Sequence, residues 1–467
     1  MGPEEYREAL ERLFRRRRFG MRPGLEVTRA LLDALGHPER TLPAVHINGS
    51  KGKGSVAAMV QAILSAHGLR TGLFTSPHLV SYRERIRLDR RLIPPSAVVR
   101  GIARIESLAQ DLERSGAIDR APTFFEVTTV LALDWFRAQK ADAIVVEVGI
   151  GGRLDATNVL ETRVGVLTTI ELEHTDVLGP TLSAIAGEKV GILHAGVRGL
   201  VGELPPEADR VVRAEAARLG VPLWTLGGEV RFDGRSLFED GQSFSLAAPG
   251  HTVDGVHLPL IGRFQPGNAA LAFGAAVAFL ASTGTAVDAS RVRKAFAGLR
   301  WPGRLERVSR RPELFYDVAH TPESARAVAQ SLAEVSPLAD PAESAVVFGC
   351  LGGKDVAGIL DALAPLARTI VLVPIRSERG LRPEEIRPFA QGRFPRIVIA
   401  PSAGEGLGLA RAATGTDGFT LVIGSDYLVG ELMRVDESEP DLSDPGLGPP
   451  PLLAAAAAES PPRDRHR

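Results

Sequence analysis

Short apolar runs alternate with longer segments of helical periodicity along most of the chain. The runs at 44–47, 143–148 and 164–169 have the length of buried strands, whereas 56–67 and 125–138 repeat apolar residues at helical spacing. Strands that alternate with helices in this way favour a mainly parallel sheet covered on both faces. The pattern therefore predicts an α/β fold.

The pattern changes in the middle of the chain and then resumes. Segment 227–260 contains short strand-like runs separated by turns, which predicts a small antiparallel sheet. An alanine-rich helix is predicted over 268–281, and a second alternating series begins near residue 314. After Asp436 the chain is rich in Pro, Glu, Asp and Ser, which predicts a disordered tail over 436–467.

Length and composition narrow the class of protein. The 467 residues exceed one ordinary core, so two domains are expected, with a boundary at 299/300. The net charge of −1 does not indicate binding to nucleic acid or to an acidic membrane. The single cysteine, Cys350, excludes an intrachain disulfide and favours a cytoplasmic location. No apolar stretch reaches the roughly 18 residues of a membrane span.

The glycine-rich segment 46–55 (HINGSKGKGS) follows the first apolar run and opens a helix. Backbone N–H groups in such a turn can bind phosphates, and Lys53 would place a positive charge on the β- and γ-phosphates. The segment departs from the general Walker pattern, because Ile47 replaces a glycine and Gly54 separates Lys53 from Ser55. A purely structural turn remains an alternative, although clustered lysines are not needed in one. The candidate nucleotide ligands are Asn48, Gly49, Ser50, Lys51, Gly52, Lys53, Gly54 and Ser55.

This segment resembles the phosphate loop of the folylpolyglutamate synthase and dihydrofolate synthase family, within the Mur ligase superfamily. Further blocks that resemble that family follow in the family's order. In the first half they are LFTSPHL (73–79), RERI (83–86), TFFEVT (123–128), VVEVGIGGRLDATN (145–158), EHTDVLG (173–179) and IAGEKVGI (185–192). In the second half they are RFQPGNAA (263–270), WPGRLE (301–306), YDVAHTP (316–322), GCLGGKD (349–355) and SDYLVGE (425–431). The resemblance covers residues 20–434.

The resemblance implies a P-loop-type ATP-binding domain over 1–299 and a smaller, Rossmann-like α/β domain over 300–435. It implies an ATP-dependent amide ligase that joins L-glutamate to dihydropteroate, to a tetrahydrofolate (poly)glutamate, or to both, through an acyl phosphate. Two Mg²⁺ sites are implied, one at Ser76 and Glu147 and one at His174 and a carbamylated Lys189. Carbamylation matters because an ammonium group cannot ligate a cation. The catalytic residues would be Lys53, Lys189 and His320.

The resemblance also assigns the rest of the nucleotide site. Asn268 would lie at the base, Arg304 at the phosphates, Asp317 at the ribose and His320 near the γ-phosphate. Val318 departs from the family, which usually has glycine there. Because valine tolerates positive φ poorly, an altered local geometry is expected at this position.

Small molecules are the expected partners, and a monomer is the expected state. Phe124 or its neighbour Phe125 could stack on a pterin ring, with core packing as the alternative. The candidate substrate contacts are Phe124, Glu126, Arg153, Asp155, Ser425 and Tyr427. The folate is expected near 74–79 and 123–126. Ser425 and Tyr427 would help to bind glutamate, with a structural turn at the end of a strand as the alternative.

Two other readings stay open at this point. A Mur ligase acting on a UDP-linked cell-wall peptide would share the ATP machinery but needs an additional N-terminal domain of roughly 80–100 residues. The phosphate loop begins at residue 46, which leaves no room for one. A non-catalytic ATP-binding protein is the other reading, and it is disfavoured because Lys53, Glu147, His174 and Lys189 are all present.

Overall fold

The computed structural model describes residues 3–16, 22–337 and 339–436. The predicted tail lies outside these residues apart from Asp436. The strands are β1 Ala44–Asn48, β2 Thr71–Phe74, β3 Ile86–Leu88, β4 Arg91–Leu92, β5 Ala143–Glu147, β6 Thr162–Leu167, β7 Arg198–Val201, β8 Leu223–Thr225, β9 Arg231–Phe238, β10 Gly241–Ala248, β11 His251–Leu258, β12 Glu306–Arg310, β13 Glu313–Tyr316, β14 Ala345–Phe348, β15 Thr369–Leu372, β16 Arg396–Ile399 and β17 Phe419–Ile423.

The helices lie between these strands. They are α1 Pro3–Arg15, α2 Glu26–Ala34, α3 Lys53–Ala66, α4 Pro95–Arg114, α5 Phe124–Ala138, α6 Thr175–Leu178, α7 Leu182–Lys189, α8 Pro206–Leu219, α9 Gln265–Ser282, α10 Ala289–Ala297, α11 Pro322–Val335, α12 Val356–Leu363, α13 Pro383–Ala390, α14 Ala403–Ala413 and α15 Asp426–Asp436. No helix among the described residues is long and apolar enough to cross a membrane.

The first sheet has eight strands in the order β4-β3-β2-β5-β1-β6-β7-β8. Strands β2, β5, β1, β6, β7 and β8 pair in parallel, and β3 and β4 add an antiparallel edge. Every residue of β1 and β5 is buried, as expected for central parallel strands with both faces covered. Helices α3, α9 and α10 pack on one face, whereas α1, α2, α4 and α5 pack on the other. The predicted mainly parallel, doubly covered sheet is confirmed.

Two smaller sheets complete the described fold. Strands β9, β10 and β11 form an antiparallel sheet over 231–258, which confirms the small antiparallel unit expected within 227–260. The last sheet has six strands in the order β12-β13-β17-β14-β15-β16, parallel except for β12. Its helices cover both faces, so the second α/β unit predicted from about residue 314 is also present.

Side-chain contacts join the two α/β units. Glu334 on α11 forms ion pairs with Arg235 on β9 (2.8 Å) and with Arg263 (3.0 Å). Arg434 on α15 donates to the carbonyl of Val80 at 2.7 Å. The carboxyl edges of the two parallel sheets face each other across a cleft.

Candidate active site

A cleft of about 740 Å³ lies between the two parallel sheets. It collects residues that follow strands of both sheets, where open α/β sheets bind ligands. The predicted site residues that line it are Ser50, Lys51, Gly52, Lys53, Gly54, Ser55, Ser76, Phe124, Glu126, Glu147, Asp155, His174, Lys189, Asn268, Arg304, Asp317, His320, Ser425 and Tyr427. The predicted residues that do not line it are Asn48, Gly49 and Arg153.

Two glycines shape the phosphate loop. Gly49 has φ 139° and Gly52 has φ 83°, conformations that L side chains rarely adopt. Space excludes side chains as well, because a Cβ on Gly49 would lie 1.9 Å from Thr168 Oγ1 and one on Gly52 2.6 Å from Asn268 Oδ1. The Asn268 amide therefore packs against the phosphate loop itself.

Asn48 supports this loop from behind. Its Nδ2 donates to the carbonyls of Gly151 (2.8 Å) and Lys189 (2.9 Å), and its Oδ1 accepts from the N–H of Gly49 (2.8 Å). All three partners are protein groups, and Asn48 is only 1% exposed. In this structure Asn48 therefore joins the phosphate loop to the two segments beside it, and its predicted contact with the nucleotide stays a prediction.

Three lysines surround one carboxylate at the mouth of the loop. Lys189 Nζ lies 3.1 Å from Glu173 Oε1, and Lys51 Nζ lies 3.6 Å from Glu173 Oε2. Lys53 Nζ donates to the carbonyl of Gly49 at 2.8 Å. Burial alone would raise the pKa of Glu173, but Lys53, Lys189 and Lys51 together hold that pKa well below its usual range. This lysine cluster (Lys51, Lys53 and Lys189 around Glu173) has an excess of positive charge, which suits a polyphosphate.

Lys189 is the deepest member of the lysine cluster. It is 2% exposed and also donates to the carbonyl of Gly49 at 3.2 Å. Burial and the charge of Lys53 lower the pKa of Lys189 to about 8. A fraction of this amine is therefore neutral near pH 7, and only a neutral amine can react with CO₂. His174, with φ 49°, lies at the exposed rim of the same part of the cleft.

Glu147 is the last residue of β5 and is 5% exposed. Its Oε2 accepts a hydrogen bond from the backbone N–H of Ser76 at 3.0 Å. Burial raises the pKa of Glu147, and Lys53 and Arg304 offset this only in part. A buried carboxylate beside a phosphate loop fits Mg²⁺, a hard cation that takes oxygen ligands and keeps several waters. Ser76 also lines the cleft, and its hydroxyl oxygen is a second possible ligand for such a cation.

Arg304 and Asp317 face the phosphate loop from the other sheet. Asp317 follows β13, and its two carboxylate oxygens accept from the N–H groups of Leu305 and Ala319, each at 2.7 Å. Burial raises the pKa of Asp317 to about 6, with Arg304 acting in the opposite direction. The Arg304 guanidinium lines the cleft without a hydrogen-bond or ion-pair partner among the described residues. An unpaired cation in this position is suited to a bound anion.

Val318 stands where the family usually has glycine, and its backbone avoids the conformation that valine tolerates poorly. Its φ is not positive, its side chain is 3% exposed, and its N–H donates to the carbonyl of Gly303 at 3.1 Å. Positive φ in the neighbouring loop falls on Gly303 (69°) and Leu305 (47°). The valine is therefore accommodated as an ordinary core residue.

The segment after β17 supplies the remaining wall. Ser425 is 2% exposed, and its Oγ accepts from the N–H of Tyr427 at 3.1 Å. Tyr427 is 8% exposed and packs in the core of this domain. The His320 ring approaches them with Nδ1 3.0 Å from the carbonyl of Val318 and 3.9 Å from Asp426 Oδ1. Because a carbonyl can only accept, Nδ1 carries the proton and Nε2 of the neutral ring is an acceptor.

At the folate end that the sequence predicts, Phe124 is mainly a packing residue. Its ring stacks on Phe14 at 5.4 Å and 15°, and the Arg85 guanidinium lies 5.2 Å above it. Phe125, the neighbouring residue, is only half-buried and also lines the cleft. Of the two aromatic rings, Phe125 is therefore the more accessible to a planar ligand.

Glu126 caps the helix on which both rings lie. Its carboxylate accepts from Arg120 at 2.8 and 2.9 Å and from the N–H of Thr123 at 2.7 Å. The Thr123 hydroxyl completes a capping box at the start of α5. These contacts give Glu126 a structural role at the cleft wall.

Asp155 holds the glycine-rich turn after β5. Its oxygens accept from the N–H groups of Ile150 (2.9 Å) and Thr157 (3.0 Å), and the Thr157 hydroxyl reaches His46 Nε2 at 2.8 Å. Arg153, two residues earlier, points elsewhere. Its Nη2 donates to the carbonyl of Gly187 at 3.1 Å and lies 3.6 Å from Glu215. Arg153 thus contacts α7 and α8 in this structure, and its predicted contact with substrate stays a prediction.

Several charged residues that line the cleft were not assigned a role from the sequence, among them Glu173 and Lys354. Glu173 and Lys354 each belong to a block that resembles the family, and both line the cleft. The available signal was their position after predicted strand segments, since charged residues there meet at the ligand-binding edge of a sheet.

Comparison with known proteins places the whole cleft in one family of ligases. The Mur ligase middle domain model matches residues 47–276, and the Mur ligase glutamate ligase domain model matches 303–425. The dihydrofolate synthase/folylpolyglutamate synthase of Mycobacterium tuberculosis is 38% identical over 80% of this chain and 78% of its own length. The Escherichia coli enzyme of that name is 33% identical over 83% of this chain and 85% of its own.

Solved structures of the same family are similar to this chain over most of its length. The M. tuberculosis folylpolyglutamate synthase complexed with ADP and AMPPCP has a TM-score of 0.86 and 35% identity, covering 94% of this chain and all of that one. E. coli FolC in complex with DHPP and ADP has a TM-score of 0.78 and 31% identity, covering 89% and 94%.

Proposed function

We propose that this chain, which belongs to the dihydrofolate synthase and folylpolyglutamate synthase family of ATP-dependent ligases, joins L-glutamate both to dihydropteroate and to reduced folate (poly)glutamates. The observation that carries the proposal is the lysine cluster, which faces Arg304 across a cleft that also contains Phe125. A nucleotide fits the charged part, and a planar pteridine fits beside the ring. The names of the M. tuberculosis and E. coli relatives support both activities.

The reaction requires ATP, the carboxylate of the pteroyl substrate and the glutamate amine to be bound together in the cleft. A carboxylate oxygen of the pteroyl substrate attacks the γ-phosphorus of ATP, and ADP leaves, which gives an acyl phosphate. The glutamate amine then attacks the acyl carbon, and phosphate leaves as the amide forms. Such phosphoryl transfer depends mostly on positioning and charge neutralisation, which Lys53 and Arg304 supply.

The attacking amine must lose a proton, and His320 is the proposed acceptor. Its Nδ1–H is directed at the carbonyl of Val318, so Nε2 has the available lone pair. The ring lines the same cleft as Ser425, on the wall opposite the lysine cluster. Asp317 would accept the ribose hydroxyls through the lone pairs that its two backbone donors leave unused.

Mg²⁺ would neutralise charge on the ATP phosphates. We assign the first ion to Glu147 and Ser76 and the second to His174 and carbamylated Lys189. The lowered pKa of Lys189 supports carbamylation, because the reactive form is the neutral amine. With ¹³C-bicarbonate, ¹³C NMR should show a carbamate carbon that disappears in Lys189→Ala. A wild-type spectrum without that signal would remove this assignment.

The test of function is ligation with two acceptors. The purified chain is incubated with Mg-ATP and labelled glutamate, with dihydropteroate or tetrahydrofolate in separate reactions, and products are identified by mass. Label on both acceptors is expected, and label on one alone would restrict the protein to that half-reaction. Intact ADP binding with no labelled product would overturn the assignment. Light scattering in the same buffer tests the proposed monomer, and fractionation of the source cells tests its proposed cytoplasmic location.

A further inference from the structure

Trp301 lies in the segment between α10 and β12 that joins the two α/β units, three residues before Arg304. The middle-domain model ends at residue 276 and the glutamate ligase domain model begins at 303, so neither includes this tryptophan. Trp301 nevertheless packs against the core that contains α3, α9 and α10. The connecting segment is therefore attached to the N-terminal unit just before it supplies a cation to the cleft.

Two contacts hold the Trp301 indole on that unit. A Cβ on Gly54, at the start of α3, would lie 3.1 Å from Cζ2 and 3.5 Å from Nε1 of the indole, so the ring lies directly against the phosphate loop. The Arg87 guanidinium lies over the ring, 5.3 Å from its centre. Arg87 is itself held, because its Nε donates to the carbonyl of Glu84 at 3.0 Å. A stacked guanidinium and a close backbone together restrict the ring.

The chain between Trp301 and Arg304 has little freedom. Gly303 has φ 69°, and a Cβ there would lie 3.0 Å from Leu79 Cδ1. Its N–H donates to Glu306 Oε2 at 2.9 Å. Because this short stretch of backbone is held on both sides, a displacement of the indole would be transmitted to Arg304.

Trp301 adjoins the phosphate site but does not line the cleft, whereas Arg304 does. The Cβ on Gly54 would also lie 3.5 Å from Glu147 Oε2, so the indole and this carboxylate approach the same point of the backbone. Burial raises the pKa of Glu147 and of Asp317, and the charge of Arg304 opposes the rise at both. Arg304 thus acts on groups of both α/β units, and its placement between them matters.

We propose that Trp301 is a positioning residue that sets the place of Arg304 relative to the phosphate loop. This inference rests on the proposed function, in which Arg304 neutralises charge during phosphoryl transfer. Because the indole is held by the unit that carries the phosphate loop, Arg304 is located by that unit although its chain continues into the other. The contribution of Trp301 therefore belongs to the rate of ligation and not to the affinity for ADP.

The test is a double-mutant cycle between Trp301→Ala and Arg304→Ala. Alone, Trp301→Ala should lower kcat/KM for ATP about tenfold, because a misplacement of about 1 Å can cost up to about 10²-fold. In the Arg304→Ala background the same substitution should cost less than about twofold, since the group that it positions is already absent. Calorimetry should show ADP affinity within about twofold of wild type. Equal losses in the two backgrounds, or ADP affinity that falls as far as kcat/KM, would overturn the proposal.

Trp224→Ala is the matched control. Trp224, on β8, is half-buried like Trp301, packs against the same core and has the Arg198 guanidinium 4.9 Å from its ring centre. Both alanine variants should lower the melting temperature, but only Trp301→Ala should lower kcat/KM. An equal kinetic loss in Trp224→Ala would mean that the effect is one of stability, and the proposal would fall.

A milder variant keeps the test valid if Trp301→Ala does not fold. Trp301→Phe retains an aromatic ring near Arg87, so it should recover part of the loss, and it can replace the alanine variant in the cycle. If wild type forms no amide at all, it is the proposed function that has failed. Additive losses in an active enzyme remove only the role of Trp301, so the two failures are distinguishable.

Discussion

The two walls of the cleft hold their cations in different ways. In the lysine cluster, Lys53 and Lys189 donate to backbone carbonyls, and Glu173 lies between Lys189 and Lys51. On the facing wall, Arg304 and Lys354 have no such partner within the described part of the chain. The first wall is thus ordered by protein contacts alone, whereas the cations of the second need bound anions. We infer from the difference that one domain is preorganised for phosphate, and that bound anions would hold the other domain against it.

This asymmetry gives domain closure a physical basis. Anions bound between the walls would satisfy Arg304 and Lys354, and the closed cleft would exclude water from the acyl phosphate. A variant held open should therefore bind ATP but fail to ligate. The substitutions below test the asymmetry, in order of decreasing expected effect.

Removing a charge from the preorganised wall should be most damaging. Lys53→Met should lower kcat/KM for ATP by about 10³-fold, because a cation on the transferring phosphoryl group stabilises the transition state directly. Steady-state kinetics with saturating glutamate measure this. Lys294→Met serves as the control, because Lys294 is an exposed lysine on α10. A loss below tenfold would mean that the lysine cluster is not the phosphate site.

Arg304→Ala should be less severe, with kcat/KM reduced about 10²-fold, as when one electrostatic donor is removed from an active site. Calorimetry should show ADP bound nearly as well as by wild type, because the phosphate loop is intact. A larger loss than in Lys53→Met would reverse the comparison between the two walls.

Acid should weaken ATP binding through Asp317. Burial raises the pKa of this carboxyl to about 6, so it is ionised above pH 6 and becomes protonated as the pH falls through that value. Protonation removes acceptor capacity for the ribose, so the KM for ATP should rise by up to about tenfold per pH unit below 6. Asp317→Asn should remove this dependence. An acid limb that begins only below pH 5 would contradict the role.

Of these substitutions, Arg153→Ala should change the enzyme kinetics least. The guanidinium contacts Gly187 and Glu215 and does not line the cleft, so the KM for the folate should stay within about threefold of wild type. Phe125→Ala is the comparison, since that ring does line the cleft. A tenfold rise for Arg153→Ala would restore the contact first expected from the sequence.

Periodicity was sufficient for the main strands and for the order of the domains' elements, because a strand buried on both faces requires a continuous apolar run. The position of the phosphate loop between a strand and a helix was also predictable, since its glycines are required by the local backbone conformation. Asn48 and Arg153 were not, because the direction of a side chain depends on neighbours distant in sequence, such as Gly187 or Glu215. The sequence also could not predict that Lys354 has no partner among the described residues, since this depends on every group that lines the cleft.

The contact between α15 and the N-terminal domain has a consequence for synthesis. A Cβ on Gly430 would lie 2.1 Å from the carbonyl of Leu79, and Arg434 bonds to Val80 across 354 residues of chain. The loop that carries Ser76 therefore leaves the ribosome long before the helix that packs against it. Until that helix emerges, the nascent chain has its phosphate loop, but the loop that carries Ser76 lacks this packing partner. We expect translation that stops just short of α15 to leave that loop without support.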